Sequence, residues 1–443
     1  MDLKNSLLQV GQDHLLEGID SLSEAERLQL EKEIASQDFH LLNQLFKEHS
    51  SKPIISTDDE ILPITFDLAE NNIKQDMWEE TGFLLLEQGQ VAAFLVAGGQ
   101  GSRLGFEGPK GAYDIGLPSK KSLFQIQAER ISNLSARAGH PIPWCIMTSP
   151  LNHEDTITHF ENHHFFGLPR DSIRFFSQGT MCALDPNGKA IKSSKEHLAL
   201  VPDGNGGCFR ALAQSGTLAW LIEKGVRYVF LYSVDNVLVK VADPAFVGAL
   251  ASDGRALSSS KVVRKKHPQE KVGVFVIKNK KPSVIEYSDL PEDLRSETYP
   301  DGSPLYDGAN IAIHLFRIDA LKKLQNTPLP WHSAKKTVFG VNNAWKFEQF
   351  LFDAFPLLGS MTLYGVSRED EFAPVKNADG DDSPKSARVM LGSLHKYWLE
   401  RAGVSVDPRK LYEISPTISY SGESLSQTVF DRELGKNILA FDP

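Results

Sequence analysis

Cysteine is scarce in this chain. Cys145, Cys182 and Cys208 are three in 443 residues and widely spaced, which excludes a disulfide framework or a paired metal-ligand motif and fits a reducing compartment. Long apolar runs are missing as well. No stretch approaches the ~18–20 residues needed to span a bilayer, so no membrane association is expected. The opening Met1-Asp-Leu-Lys-Asn-Ser-Leu-Leu8 has neither the charged start nor the continuous apolar core of a secretory signal, and the expected location is cytoplasmic. There is no basic excess: 57 acidic residues outnumber 47 basic ones for a net charge of −10. That balance excludes a general nucleic-acid binder. A small anionic ligand is still allowed, because a few local cations can override the global sign. Internal repeats and low-complexity tracts are absent, and nothing points to an obligatory protein partner.

What is present reads as a large α/β core with additions at both ends. Residues 1–88 form a helical N-terminal region. Ser23-x-x-Glu26 is a capping-box pattern, and Leu41, Leu42, Leu45 and Phe46 share one helical face. Ser51 to Asp58 breaks the pattern, and a further helix is predicted over 76–88. From 89 to 378, apolar runs of strand length (91–97, 143–148, 226–234 and 272–277) alternate with predicted helices over 123–136 and 209–224. This alternation predicts a mostly parallel sheet with helices on both faces. In such sheets ligands bind at the carboxyl ends of strands. The turn-rich Asn377–Pro384 leads into a small C-terminal domain, 379–443, with a helix over 386–402 and a strand-like Thr417–Tyr420.

The stretch Leu95–Gly116 follows the first strand and holds seven glycines with two basic residues, Arg103 and Lys110. It fails the dinucleotide fingerprint, having Leu104 at the third glycine, and fails the Walker pattern, having Gly111 after Lys110. What remains is a strand, a loop whose backbone N–H groups can line an anion, and two cations. The plain alternative is a tight turn with solvated basic residues. Pro202–Gly207 opens a helix whose free N–H groups could meet an anion or base edge, or it is an ordinary cap. Asp235 sits at a strand's carboxyl end, where a Mg²⁺ ligand or a turn residue would stand. Glu286, Tyr287 and Asn310 are able to hydrogen-bond hydroxyls. Read singly, they and the lysines at 346 and 376 are ordinary surface or structural residues.

Taken together, Gly98-Gly-Gln-Gly-Ser-Arg-Leu-Gly105, Pro109-Lys-Gly111 and Ser122–Arg130 resemble the UDP-N-acetylglucosamine pyrophosphorylase family. The resemblance continues through Met147–Ser149, Pro202–Gly207, Val234–Asn236, Val239–Asp243, Arg368–Phe372, Pro374–Asn377 and Glu413–Pro416. It implies a Rossmann-like nucleotidyltransferase sheet and a Mg²⁺-dependent enzyme joining UTP to a sugar 1-phosphate. By position, Val96, Ala97, Gly98 and Gly99 would hold the nucleotide, and Gln178 and Gly204 would read the uracil. Lys110 would bind the UTP phosphates, and Arg103 would face the departing pyrophosphate. Asn205, Glu286 with its neighbour Tyr287, and Asn310 would hold the sugar. Asp235 would support Mg²⁺, while Lys346 and Lys376 would touch phosphates. The sequence departs from the family where Ala309 replaces a glycine beside the sugar residues, and the 325–344 segment and the tail are short. Competing readings are a UDP-glucose or broad UDP-sugar enzyme, a catalytically silent nucleotide-binding protein and, against the fingerprint, a nicotinamide enzyme.

Overall fold

A computed structural model describes residues 3–49 and 59–443, so the predicted break at Ser51–Asp58 lies outside the described residues. The chain forms two compact units. The larger, Glu60–Ser177, Arg210–Asn326 and Phe355–Pro443, is built on a ten-stranded sheet. In chain order its strands are β1 (Ile61–Pro63), β2 (Val91–Val96), β3 (Trp144–Thr148), β4 (Ile173–Ser177) and β5 (Tyr228–Ser233). They continue as β6 (Ser258–Arg264), β7 (Val274–Lys278), β8 (Lys281–Ile285), β9 (Gly308–Arg317) and β10 (Met361–Gly365).

The strands β5-β2-β3-β4 are consecutive and mutually parallel, and β10 is parallel to β6. β9 runs against β5, β6 and β7, while β1 and β8 run against β7. Seven strands therefore share one direction and β1, β8 and β9 oppose it. The predicted apolar runs became β2, β3, β5 and β7 because both faces of these strands are covered. On one face of β9, Ala309, Ile311, Ile313 and Leu315 join a core that includes Phe246 and Val247 of helix Pro244–Ser252. On the other, His314 and Phe316 meet Phe355. Helix Gln75–Glu87 lies so close to Pro244–Ser252 that a Cβ at Gly82 would stand 1.8 Å from the Pro244 oxygen.

The smaller unit, Met1–Asp59, Gln178–Phe209 and Thr327–Ala354, packs N-terminal helices onto two strand pairs. The Ser23/Glu26 capping box starts helix Glu24–Ala35. Leu30, Ile34, Leu42 and Leu45 are buried with Leu184, Trp345 and Phe347. Glu33 accepts the Leu198 N–H at 2.7 Å, and Gln37 accepts the Cys182 N–H at 2.8 Å. Contact thus groups the first helices with residues far along the chain, whereas the 1–88, 89–378 and 379–443 segments follow sequence texture. Residues 61–87 and the C-terminal segment both pack within the larger unit.

Two local expectations need correction. The helix predicted over 209–224 is two helices, Cys208–Gln214 and Thr217–Glu223, parted at Gly216, whose φ of +75° is left-handed. Thr417–Tyr420 is a turn, because Glu423 takes the Tyr420 and Ser421 N–H groups (both 2.7 Å) that a strand would offer to a neighbour. The C-terminal strands are instead Leu411–Ile414 and Ile438–Phe441, paired antiparallel.

Candidate active site

β2 ends at half-buried Val96, and Ala97 still pairs with the Met147 oxygen at 2.8 Å. The chain then folds back on itself. Gly101 N–H donates to the Gly108 oxygen (3.0 Å), and Lys110 N–H to the Gly99 oxygen (3.1 Å). Buried Asn152 clamps this loop from below. Its Nδ2 donates to the Ala97 and Gly99 oxygens at 3.0 and 3.1 Å, while its Oδ1 accepts the Ser149 N–H at 2.8 Å. Sequence reasoning stopped at Met147–Ser149 and missed Asn152, whose partners on the loop lie more than fifty positions away.

The glycines of the loop serve different ends. A Cβ at Gly101 would fall 2.6 Å from the Phe106 ring, and one at Gly111 only 2.2 Å from Phe124, so the protein itself fills those spaces. At exposed Gly99 no heavy atom lies within 4 Å of the missing Cβ. Gly105 is open as well, but its left-handed φ of +68° by itself calls for glycine, so the expectation of close ligand approach narrows to Gly99 and its neighbour, half-buried Gly98.

The charged candidates assemble because β5 lies parallel to β2, with Ser233 opposite Val96. Asp235 leaves the sheet at the same end as the glycine loop, and Lys110 Nζ stands 3.6 Å from its Oδ2. Buried Asn236 donates to the Glu371 oxygen at 2.6 Å and accepts the Ala373 N–H at 3.0 Å, while Val375 N–H donates to the Asp235 oxygen at 2.9 Å. These bonds lay Lys376 beside Asp235. Lys376 Nζ is 3.8 Å from Asp382 and 5.6 Å from the Phe372 ring centre. Burial works to raise the Asp235 carboxyl, but the Lys110 and Lys376 ammonium groups and the Ser233 hydroxyl outweigh it, so its pKa lies below the ordinary aspartate value. Arg103 is exposed on the Ser102–Leu104 turn and makes no ion pair among the described residues.

Support for this group comes from residues that had no assigned role. Buried Arg130 donates to the Val237 and Val239 oxygens at 2.7 and 2.8 Å, and Gln127 to the Val234 oxygen at 3.2 Å, holding both sides of Asp235. Fully buried Lys261 bonds Asp243 at 2.5 Å and both Glu371 oxygens at 2.7 and 2.9 Å. The Val239–Asp243 and Arg368–Phe372 stretches thus build a buried charge network that fixes Glu371 and, through its carbonyl, Asn236. Such pairing is legible only in three dimensions.

Also in the larger unit, Asn310 N–H donates to the Gly273 oxygen at 2.9 Å, and a Cβ at Gly273 would stand 3.2 Å from Glu286 Oε1. Glu286 and Asn310 are therefore neighbours, with Tyr287 exposed on the turn after β8. Ala309 is fully buried in the core, on the face of β9 opposite Asn310. Its methyl points away from the predicted sugar-holding side chain.

In the smaller unit, Gln178 is buried just before strand Thr180–Cys182. Gly204 has φ +92°, and a Cβ there would lie 2.3 Å from the Gln349 oxygen. Two of the N–H groups of Pro202–Gly207 are in use: Gly206 donates to the Gln349 oxygen (2.8 Å) and Gly207 to the Gly204 oxygen (3.3 Å). Packing against Gln349 and the turn's own backbone thus take up two of the donors that an anion or a base edge would need. Asn205 Oδ1 accepts the Leu351 N–H at 2.9 Å. Lys346 lies on strand Val341–Glu348 and pairs with Glu348 at 2.8 Å; the Glu348 Cβ borders Gly204.

No cluster of three or more His, Cys, Asp or Glu fit to hold a metal occurs among the described residues. Asp235 is a lone carboxylate beside the Lys110 and Lys376 ammonium groups. Such a donor would suit a largely hydrated Mg²⁺ shared with phosphate oxygens rather than a protein-caged ion. No helix among the described residues is long and apolar enough to cross a membrane.

A sequence profile of the family described as UTP–glucose-1-phosphate uridylyltransferase matches residues 36–435. UDP-N-acetylglucosamine diphosphorylase 2 of Arabidopsis thaliana is 39% identical over 96% of this chain and 90% of its own length. UDP-N-acetylglucosamine pyrophosphorylase of Saccharomyces cerevisiae is 37% identical over 97% of this chain and 98% of its own. The crystal structure of the uridine diphosphate N-acetylglucosamine pyrophosphorylase from Trypanosoma brucei in complex with inhibitor superposes with a TM-score of 0.81 at 30% identity, covering 97% and 94% of the two chains.

Proposed function

The chain belongs to the UTP–glucose-1-phosphate uridylyltransferase family, and from that premise we propose that it makes UDP-N-acetylglucosamine and pyrophosphate from UTP and N-acetylglucosamine 1-phosphate. The observation that carries this reading is the set of Lys110, Asp235 and Lys376 at the carboxyl ends of parallel strands, beside a loop open at Gly99. It is a charge set for polyanions with no activated nucleophile, which this reaction does not need. An anionic oxygen of the sugar phosphate attacks the α-phosphorus in line. The new P–O bond forms as the bond to the bridging α–β oxygen breaks, and pyrophosphate leaves with that electron pair. No proton has to move, so catalysis reduces to orientation and charge stabilisation.

Lys110 binds the UTP phosphates, and Arg103, which pairs with no carboxylate among the described residues, meets the leaving pyrophosphate. Lys376 and Lys346 contact phosphates. Val96 to Gly99 line the nucleotide, Gln178 and Gly204 read the uracil, and Asn205, Glu286, Tyr287 and Asn310 hold the sugar. Asp235 would hold Mg²⁺, which when bound supplies charge neutralisation of the triphosphate. A cytoplasmic location is supported by three buried, unpaired cysteines, Cys145, Cys182 and Cys208.

The acetylated sugar is favoured by the names of the full-length relatives and by the Ala309 methyl, which lies in the core and takes no room beside Asn310. Pyrophosphate release from UTP is to be measured side by side with N-acetylglucosamine 1-phosphate and glucose 1-phosphate, with and without Mg²⁺. The expected kcat/KM ratio favours the acetylated substrate by about tenfold or more, since a small substrate group gained or lost at a contact is worth ~1–3 kcal/mol. Turnover should vanish with EDTA and return with Mg²⁺. Preference for glucose 1-phosphate would sink the sugar assignment, and no release with either sugar would sink the transferase reading.

A further inference from the structure

Two stretches that carry the family resemblance, Ser122–Arg130 and Glu413–Pro416, are not used up by the roles above, and the structure joins them. Lys121 Nζ lies 2.6 Å from Glu129 Oε2 and 3.0 Å from Ser415 Oγ, which itself donates to Glu129 at 3.0 Å. Buried Glu413 accepts the Ser119 N–H at 3.0 Å and the Ser119 hydroxyl. Ser119 belongs to an excursion, Tyr113–Leu123, both ends of which are tied beside Lys110. Tyr113 N–H donates to the Lys110 oxygen, and Leu123 N–H to the Tyr113 oxygen, each at 3.1 Å. Arg388 of helix Pro384–Arg401 donates to the Ile115 oxygen of the same excursion at 3.1 Å. Ile115 shares an apolar cluster with Val237 and Val375, close in sequence to Asp235 and Lys376, and with Leu391 of helix Pro384–Arg401.

We propose that Glu413 is a positioning residue for Lys110, with Arg388 as its helper. The C-terminal segment grips the excursion that follows Lys110 and so fixes where the ammonium stands. A carboxylate buried with such few donors is costly to keep unless those donors matter. Its two bonds end on a loop tip and not on the C-terminal segment's own core, so they hold the loop. The inference rests on the uridylyl-transfer reading.

The test is a double-mutant cycle on the full chain under the assay above. Glu413→Ala should lower kcat about tenfold, as a misplaced catalytic group does, with KM for the sugar 1-phosphate changed less than about twofold. Glu413→Gln, whose amide oxygen still accepts the Ser119 N–H, should retain most of kcat. In the Lys110→Ala background the same Glu413→Ala should cost less than about twofold, because the group it positions is gone. Arg388→Ala, run through the same cycle, serves if Glu413→Ala does not fold. Losses that multiply in the double variants, or an unchanged kcat in the folded single variants, would overturn the proposal. A wild-type chain without turnover would instead strike the transfer reading itself.

Discussion

The loop at Gly98–Gly111 and the turn at Gly204–Gly207 look alike on paper, for each is a glycine-rich stretch following an apolar run. In the folded chain they differ. The first keeps Gly99 open and gathers Lys110 against Asp235 at 3.6 Å. The second gives its Gly206 amide to Gln349 and its Gly207 amide to its own backbone, and uses the bare Cα of Gly204 to let Gln349 approach. A glycine cluster leaves room for close approach in both places, but at Gly99 the space is open and at Gly204 the chain itself fills it. Glycine signals proximity without saying to what.

That contrast can be broken by substitution. The largest effect is expected from Lys110→Ala, which should fold normally yet lose about 10²–10³ in kcat, the usual cost of one charged donor to a developing anion. Steady-state kinetics at saturating UTP checks it, and a near-normal kcat would reduce the loop to a solvated turn. Next come the two glycines taken as a pair. Gly204→Ala puts a side chain at φ +92° and against a carbonyl, so the unfolding midpoint should drop by the equivalent of about 1–3 kcal/mol. Gly99→Ala has neither problem. Its stability should change by less than about 0.5 kcal/mol while its KM for UTP rises. Thermal melts of the two variants decide, and equal losses would erase the distinction between loop and turn.

The smallest effect on catalysis should be that of Ala309→Gly. Removing a core methyl on the face away from Asn310 should leave the ratio of kcat/KM for the two sugar phosphates within about threefold, with a stability loss of about 0.5–1 kcal/mol. A large swing in sugar preference would mean that Ala309 does border the sugar.

Much of the sheet is legible in the amino-acid sequence. Val91–Val96, Trp144–Thr148 and Tyr228–Ser233 are strands buried on both sides, and burial writes itself into composition as unbroken apolar runs. The Ser23/Glu26 box and the helix near 384–401 are equally readable, because caps and helical periodicity act within a few residues. The strand expected at Thr417–Tyr420 fails for a comparable local reason, the competing acceptor Glu423.

The candidate residues can be named from motifs, but their company cannot. Nothing within a few positions of Asn152 says that it clamps the glycine loop, nor does anything near Asn236 say that it holds the Glu371–Ala373 stretch that leads to Lys376. The Lys261–Asp243–Glu371 network joins residues more than a hundred positions apart, and Glu413 reaches Ser119 across 294. Hydrogen bonding and hydrophobic periodicity along the chain are short-ranged, so they settle which segments become strands and helices and which turns need glycine. Which side chains meet depends on strand order and register. Those are set by how the whole sheet buries its two faces, and only the folded chain records that choice.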